Sequence, residues 1–585
     1  MLLLWIAACF CMFAYKWHDI HWFALGDTDD NIRFDQVRDW LNGQGWYDLR
    51  QYRLNPPYGA NIHWSRLCDL PLAAIMLAVK PFFGWVIANK TAVALAPMIP
   101  MLLAMYASAF SVRQLVHPSA YALGCAILLC GQSTLLMWMP LRIDHHGWQL
   151  AFLMCTVAGL ADPKPTRGGA TVGVTSALSM AIGLEMLPYI AFSAAIIALH
   201  WAWDKAEAKR LRAYAATFGI GTALCFLVFA SNDNWHVVCD ALSPVWLTMA
   251  VLGSLLIGAA SFAPGDKRAL RFALIVGAGA IVAATYALAF PKCMGQLEGM
   301  SPELKRLWFS HVKEARPLYK HAYDIALPVV ALPVAGLIGA WLSIWRARGT
   351  LLAAKWTPVA VFGTFAAVLL AWQTRMGPSA QLLTVPGATA LGWSFLPRLA
   401  DHRRFVVRVF GVIGGFLLVS GLWMYFALQG MPTIAAAISR AKPKAKVANA
   451  KPAPPNHSGW CFTAPALREI GKIPPQTMFT FVDLSPRLIT MTHHSAISGP
   501  YHRNGDALLD VLHAFRGTAE QAHAIIARHH ATMLLLCPGM AEATIYQAEA
   551  PKGFYVQLLN GQVPAWLAPV PLSKDSPFRL WRVVG

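Results

Sequence analysis

Charge is scarce in this chain. Only 13% of its 585 residues are Asp, Glu, Lys or Arg, about half the share usual in soluble domains, which excludes an ordinary water-soluble enzyme. Acids are scarcer than bases, with 29 Asp and Glu facing 48 Lys and Arg. The resulting +19 sits in a chain that is 57% hydrophobic, so it reads as charge that anchors cytoplasmic loops rather than as a grip on nucleic acid. The 11 Cys include no C-x-x-C pair, which removes a structural zinc motif, a dithiol redox motif and a disulfide-stapled miniature fold. A cleavable secretory leader is missing too. Residues 1–24 open apolar, carry Tyr15, Lys16 and His18, and run straight into acids, so they read as an uncleaved first span.

What is present is a series of apolar stretches. Runs of about 20 apolar residues bounded by charge occur near 2–24, 85–111, 120–139, 147–161, 168–184, 187–203, 214–231, 244–263, 271–290, 323–345, 353–373, 378–397 and 405–428. They predict a polytopic α-helical membrane protein of about thirteen spans, with 70–84 as an interfacial helix or the start of the second span. With a cytoplasmic N-terminus, the inner connections carry Arg113; Lys164 and Arg167; Lys205, Lys209, Arg210 and Arg212; Lys267, Arg268 and Arg271; Arg346, Arg348 and Lys355; and Arg398, Arg403, Arg404 and Arg408. Each is short and basic, as cytoplasmic loops are. The long connections 25–69 and 291–322 then lie on the periplasmic side of an inner membrane.

The membrane part is expected over 1–430 and a linker over 431–456, whose Lys/Pro/Ala stretch 441–455 is too poor in apolar residues to bury. Residues 457–585 are expected to form a soluble periplasmic α/β domain. Apolar β-rich runs at 478–482, 488–492 and 532–537 alternate there with helical patterns at 505–515 and 519–529. Cys461 and Cys537 are candidates for a disulfide on that oxidising side.

Four polar clusters gather on the outer face. The first outer loop begins Gly26-Asp27-Thr28-Asp29-Asp30-Asn31. Crowded carboxylates at a membrane edge are costly to desolvate without a cation; solvated acids that end a helix are the alternative. Arg33, Asp35, Arg38 and Asp39 after them read as structural pairs at helical spacing. The second cluster, Arg142-Ile143-Asp144-His145-His146-Gly147, offers an oxygen and imidazole nitrogens suited to manganese, or to zinc in a more nitrogen-rich site; polar residues bonded to backbone are the alternative. In the third, Glu314 stands among Lys305, Arg306, His311, Lys313 and Arg316, as a functional carboxylate or as half of a weak exposed ion pair, with Arg316 as a candidate substrate contact. The fourth is Arg375, which either snorkels to water or presents its planar fork to a phosphate.

Other residues have quieter readings. Glu185 reads as the capped tip of a short helical hairpin, because Pro188 suits the first turn of the next helix. Tyr58, His63 and Arg66 in the first loop are candidates for a sugar pocket, where ring faces stack on a pyranose and a guanidinium meets phosphate. In the last domain, His493, His494, Tyr501, His502 and Arg503 read either as turn residues or as groups that face an acceptor or a glycan.

This layout resembles the oligosaccharyltransferase catalytic subunits of the GT-C glycosyltransferase superfamily. Thr28-Asp29-Asp30-Asn31 is similar to the family's first-loop aspartate motif. Asp144-His145-His146-Gly147 is similar to its Asp-Asn-Glu-Gly motif, with His in place of Asn and Glu. Val312-Lys313-Glu314 is similar to its Thr/Ser-x-x-Glu element, and Arg375 stands where the family has a substrate-contacting arginine. The family's Trp-Trp-Asp acceptor motif does not occur in 429–585. The resemblance implies a GT-C-like fold and a metal-assisted, inverting transfer of a sugar or oligosaccharide from polyprenyl phosphate or pyrophosphate to a glycan, lipid or protein acceptor outside. It implies Asp30, Asp144 and Glu314 as ligands of Mg²⁺ or Mn²⁺, completed by His145 or His146, with Asp30 or Glu314 as the acceptor's base, Asp29 as the fallback for Asp30, and Arg375 at the donor phosphate. A flippase for lipid-linked glycans predicts repeated halves with mid-membrane charge, and a non-catalytic scaffold predicts dispensable carboxylates.

Overall fold

The computed structural model describes residues 1–263, 267–295, 299–429 and 461–584; the expected linker 431–456 lies outside the described residues. The chain up to Gln429 is almost entirely helical. Six of its helical segments are long and apolar enough to cross a membrane among the described residues, seven if a bent pair counts as one. Helices do occupy the apolar stretches named above, but glycines break several of them. Gly131 divides Tyr121–Cys130 from Gln132–Leu136, and Gly421, at φ 76, turns the chain by 97° after Val412–Ser420. Within Asp69–Leu95, Gly84 adopts φ 73 and ψ 173 and kinks the helix.

Small residues set the packing of the bundle. Helix Tyr323–Arg346 lies against Gly377–Trp393 so closely that a Cβ at Gly339 would collide with the Gly387 carbonyl. Close backbone approach of this kind replaces the hydrophobic drive that helices lack inside lipid.

The outer layer is a five-stranded sheet in the order β4-β3-β5-β7-β6. Its strands are β3 (Thr477–Phe479), β4 (Ser495–Ala496), β5 (Met533–Leu536), β6 (Leu567–Val570) and β7 (Arg579–Val583); the short pair β1 (Arg50–Gln51) and β2 (Ala60–Asn61) belongs to the first outer loop. Strands β4, β3 and β5 run parallel, while β7 and β6 are antiparallel. All four residues of β5 are buried, as expected of a central strand covered on both faces. A Cys461–Cys537 disulfide joins the start of the layer to the end of β5, and a second disulfide links Cys239 with Cys293.

The layer is fastened to the first outer loop. Asn55 N donates to the Ala496 carbonyl at 2.9 Å, and Ala496 N to that of Arg53 at 2.8 Å, so the loop covers the open edge at β4. Arg53 Nη1 also donates to the carbonyls of Ile489 and Thr492. Helix Ser485–Met491 lies on helix Thr28–Leu41, where Thr490 Oγ1 donates to Asp35 at 3.0 Å and Arg487 Nη1 to Asn31 at 3.2 Å.

Within the layer, Glu542 accepts hydrogen bonds from Val482 N at 3.1 Å and Asp483 N at 2.9 Å. Burial, and then the neighbouring Asp483, push its carboxyl up to about 8. A carboxyl whose pKa rises on folding binds its proton more tightly in the folded chain. Its stabilising contribution is therefore complete below about pH 4.3 and is lost as pH rises towards 8. Thermal melts of the full chain are expected to show a lower midpoint at pH 8 than at pH 5, and Glu542→Gln is expected to shrink that gap. An undiminished gap in the variant would remove Glu542 as its source.

Candidate functional site

Beneath the outer layer lies a cavity of about 740 Å³, within the usual size range for small-molecule sites. The first loop contributes Asp27, Asp29, His63 and Trp64 to its wall, the second outer segment Arg142, His145 and His146, and the helix tip 183–188 contributes Glu185. Glu314 and Arg375 line another side, and Asp483, Tyr501, His502, Arg516 and Tyr546 come from the outer layer.

The acids are arranged by helix geometry. Asp27 caps helix Thr28–Leu41 by accepting from Asp29 N at 3.0 Å. Asp29 and Asp30 follow in the first turn, rotated about 100° from one another. Asp29 faces the cavity. Asp30 turns inward, 1% exposed, and its Oδ1 accepts from Ile143 N at 2.8 Å and Asp144 N at 3.0 Å. It therefore holds the second outer segment in place and does not line the cavity, which is at odds with its expected role as the acceptor's base. Asp144 is buried too; its Oδ1 accepts from His146 N at 3.0 Å.

Arg142 joins these carboxylates. Its guanidinium pairs with Asp27, lies 3.5 Å from Asp30 and 2.7 Å from Asp144. A single guanidinium does not balance them. Burial raises the Asp29 carboxyl well above its ordinary range, with Asp27 and Asp144 adding to the rise. Burial raises Asp30 as well, against the opposing pull of Arg142.

Beside the acids, His145 Nε2 and His146 Nδ1 lie 3.1 Å and 3.0 Å from the same oxygen of Glu185. These three donors lie within 4.8 Å of one another. His145 Nδ1 is buried without a hydrogen bond, an expensive state unless something completes it, whereas Asp144 Oδ2 is met by Arg142. Two imidazoles and a carboxylate form a donor set that fits a divalent ion, of manganese or zinc character more than magnesium. Sequence reasoning missed Glu185 because its partners lie about forty residues away; the signal was an acid isolated between two short apolar helices.

The expected cluster is not assembled as a whole. Glu314 lies at the cavity but pairs with Arg375 at 3.2 Å and is absent from both the acid and the imidazole groups. The pairing follows from the backbone, because the Arg316 carbonyl accepts from Thr374 N and Oγ1, each at 2.8 Å. The Arg316 side chain turns back to the Ser310 carbonyl and does not reach the cavity. Arg66 is fully buried among Asp69 and the carbonyls of Gln36 and Asp48, an i,i+3 pair that the sequence displayed. Tyr58 is 74% exposed and also stands off the cavity wall. These three are corrected from substrate contacts to loop residues.

A second, apolar cavity of about 600 Å³ opens between helices Leu187–Trp203, Ala208–Phe229, Pro244–Ala260 and Arg268–Ala289. Leu187 and Trp246 line both spaces, so the apolar groove adjoins the polar chamber.

No protein-family model and no curated protein sequence matches the chain. Solved structures do. The archaeal oligosaccharyltransferase AglB from Archaeoglobus fulgidus, in complex with an inhibitory peptide and a dolichol-phosphate, superposes with TM-score 0.66 at 12% identity over 99% of this chain and 73% of that one. The oligosaccharyltransferase of the same organism tethered to an acceptor peptide containing the NVT sequon gives 0.64 at 14% identity, over 99% and 73% of the two chains. Its complex with Zn and sulfate gives 0.62 at 13%, over 98% and 72%.

Arg142→Ala leaves Asp30 and Asp144 buried without their cation and is expected to destabilise the fold by about 3–5 kcal/mol. Adding Asp30→Asn to that variant is expected to recover part of the loss. Denaturant unfolding of the single and double variants checks this, and strictly additive losses would show that Arg142 and Asp30 do not interact.

Proposed function

The chain has a GT-C-like fold, and from that premise we propose that it is an integral membrane glycosyltransferase. It moves a sugar or oligosaccharide from a polyprenyl phosphate or pyrophosphate to a glycan, lipid or protein acceptor on the outer side, with inversion at the anomeric carbon. The observation that carries this reading is the junction of two unlike spaces at Leu187 and Trp246. A polyprenyl donor needs an apolar groove for its chain and an adjoining polar chamber for its phosphate and sugar. Sidedness agrees. Helix His146–Ala161 begins at the cavity and ends beside Lys164, Pro165–Ile182 begins beside Arg167 and ends at the cavity, and Leu187–Trp203 leads from the cavity to Lys205. The basic loops thus end the helices away from the site, which supports a cytoplasmic N-terminus and a periplasmic chamber.

In this reading, Arg375 leaves Glu314 to take the donor phosphate in its planar fork, while Glu314 screens it in the resting chain. His145, His146 and Glu185 would hold a divalent ion, which would supply positive charge to the departing phosphate. Asp29 orients the acceptor and takes its proton. Asp30, Asp144 and Arg142 are positioning residues that fix the segment carrying the two histidines. Trp64 and Tyr501, 5.7 Å apart edge to face, form an aromatic wall for the transferred sugar.

Transfer from a synthetic polyprenyl-linked sugar is the direct test. Glu185→Gln and Asp29→Asn are each expected to lower turnover about 10²–10³-fold, the range for a general base or an electrostatic stabiliser, with donor KM little changed. EDTA is expected to abolish turnover and Mn²⁺ to restore it. Undiminished transfer by both variants would reject the assignment. Filling the groove with Gly253→Trp is expected to raise KM for long-chain donors more than tenfold while sparing short-chain analogues. An equal loss for both chain lengths would place the lipid elsewhere.

A further inference from the structure

A second group of metal-ligating side chains stands on the cavity wall, outside the machinery described above. It draws on three distant segments: His63 from the first outer loop, Asp240 from the connection before helix Pro244–Ala260, and His502 from the turn His502–Asn504 of the outer layer. One donor atom of each lies within 4.8 Å of the others. His502 Nε2 is 2.8 Å from Asp240 Oδ2, and the His63 and His502 rings are 4.9 Å apart.

Two further observations point to a ligand. His63 Nδ1 is buried and makes no hydrogen bond, a state that costs about 1–3 kcal/mol while no partner fills it. Asp240 is held by both oxygens, with Arg503 Nε donating to Oδ2, the oxygen that His502 also meets, at 2.8 Å and Nη2 to Oδ1 at 2.5 Å. Arg503 is itself anchored on Asn61 and Asn234. An ionised carboxylate has about four lone-pair sites, so this clamp aims Asp240 without exhausting it, as outer partners of metal ligands do. The neighbouring residue is fixed by the Cys239–Cys293 disulfide.

We propose that His63, Asp240 and His502 form a binding site for a zinc-class divalent ion, separate from the His145, His146 and Glu185 group. Two imidazoles and one carboxylate are a known zinc donor set that leaves a fourth position for water; magnesium demands an oxygen shell that the two imidazoles do not provide. Since each ligand comes from a different wall, the ion fastens the outer layer to the membrane part. The site stands independently of the transferase reading.

The test uses the full chain in detergent, stripped by chelator, reloaded with Zn²⁺ and desalted, with metal content read by mass spectrometry. Glu185→Gln removes the other candidate site and is expected to keep about one zinc and a zinc-dependent rise in melting temperature. His63→Ala in that background is expected to lose both. Should the double variant fail to fold, X-ray absorption at the zinc edge of the Glu185→Gln protein decides, and two imidazole nitrogens at about 2.0–2.1 Å are expected. Equal zinc content with and without His63, no zinc in Glu185→Gln, or a spectrum without imidazole scattering would each overturn the proposal. The last two would leave Arg503, Asp240 and His502 as a metal-free polar lock.

Discussion

Carboxylates withdrawn from water must find positive charge, and the outer half of this protein is organised around that requirement. Asp27, Asp30 and Asp144 converge on Arg142, and deeper in the wall Asp69 takes both Arg33, at 2.6 Å, and Arg66, at 3.2 Å. Removing one partner of a buried pair leaves an uncompensated charge that costs several kcal/mol. The loops therefore have little freedom to rearrange, and the cavity keeps its shape although it is walled by connections rather than by one continuous element. The imbalance of acids over guanidinium falls on Asp29, which faces the cavity with its carboxyl raised by burial and by Asp27 and Asp144.

The fold and the site divide according to how local their determinants are. Apolar runs and strand or helix patterns depend on neighbours in the chain: helices occupy the apolar stretches, and after residue 461 the patterns at 478–482, 505–515, 519–529 and 532–537 meet a strand or a helix as read, whereas the β-rich run 488–492 lies in helix Ser485–Met491 because it packs on helix Thr28–Leu41. The sequence also displayed the acids of the first loop and the Asp144-His145-His146 group, because each is a cluster within a few residues. What it hid was pairing over distance. Glu185 meets two histidines about forty residues away, and Asp240 meets Arg503 at a separation of 263. Glu314 and Arg375 were both visible, yet their mutual ion pair depends on the Arg316–Thr374 backbone contact.

Orientation was the other blind spot. Adjacent Asp29 and Asp30 look interchangeable as letters, but the cap at Asp27 fixes the start of the helix and sends one to the cavity and the other to the backbone of 143–144. Arg66 looked available for phosphate, although its i,i+3 partner Asp69 was in plain view. The number of spans proved hard to read for a related reason. Hydropathy registers composition, whereas Gly84, Gly131 and Gly421 act through dihedral angles that bend or end helices within apolar sequence.

The fastening of helix Ser485–Met491 onto helix Thr28–Leu41 bears on biosynthesis. Asp35 is fully buried and bonds Thr490 at a separation of 455 residues. At roughly 5–20 residues per second, a ribosome needs on the order of half a minute or more to deliver that partner. Throughout that interval helix Thr28–Leu41 stands without helix Ser485–Met491, and Asp35 has only Arg38 and Arg53 to meet it. Joining of these two helices is thus a late event in synthesis, and a chain interrupted before the final quarter lacks the cover that helix Ser485–Met491 lays over Asn31 and Asp35.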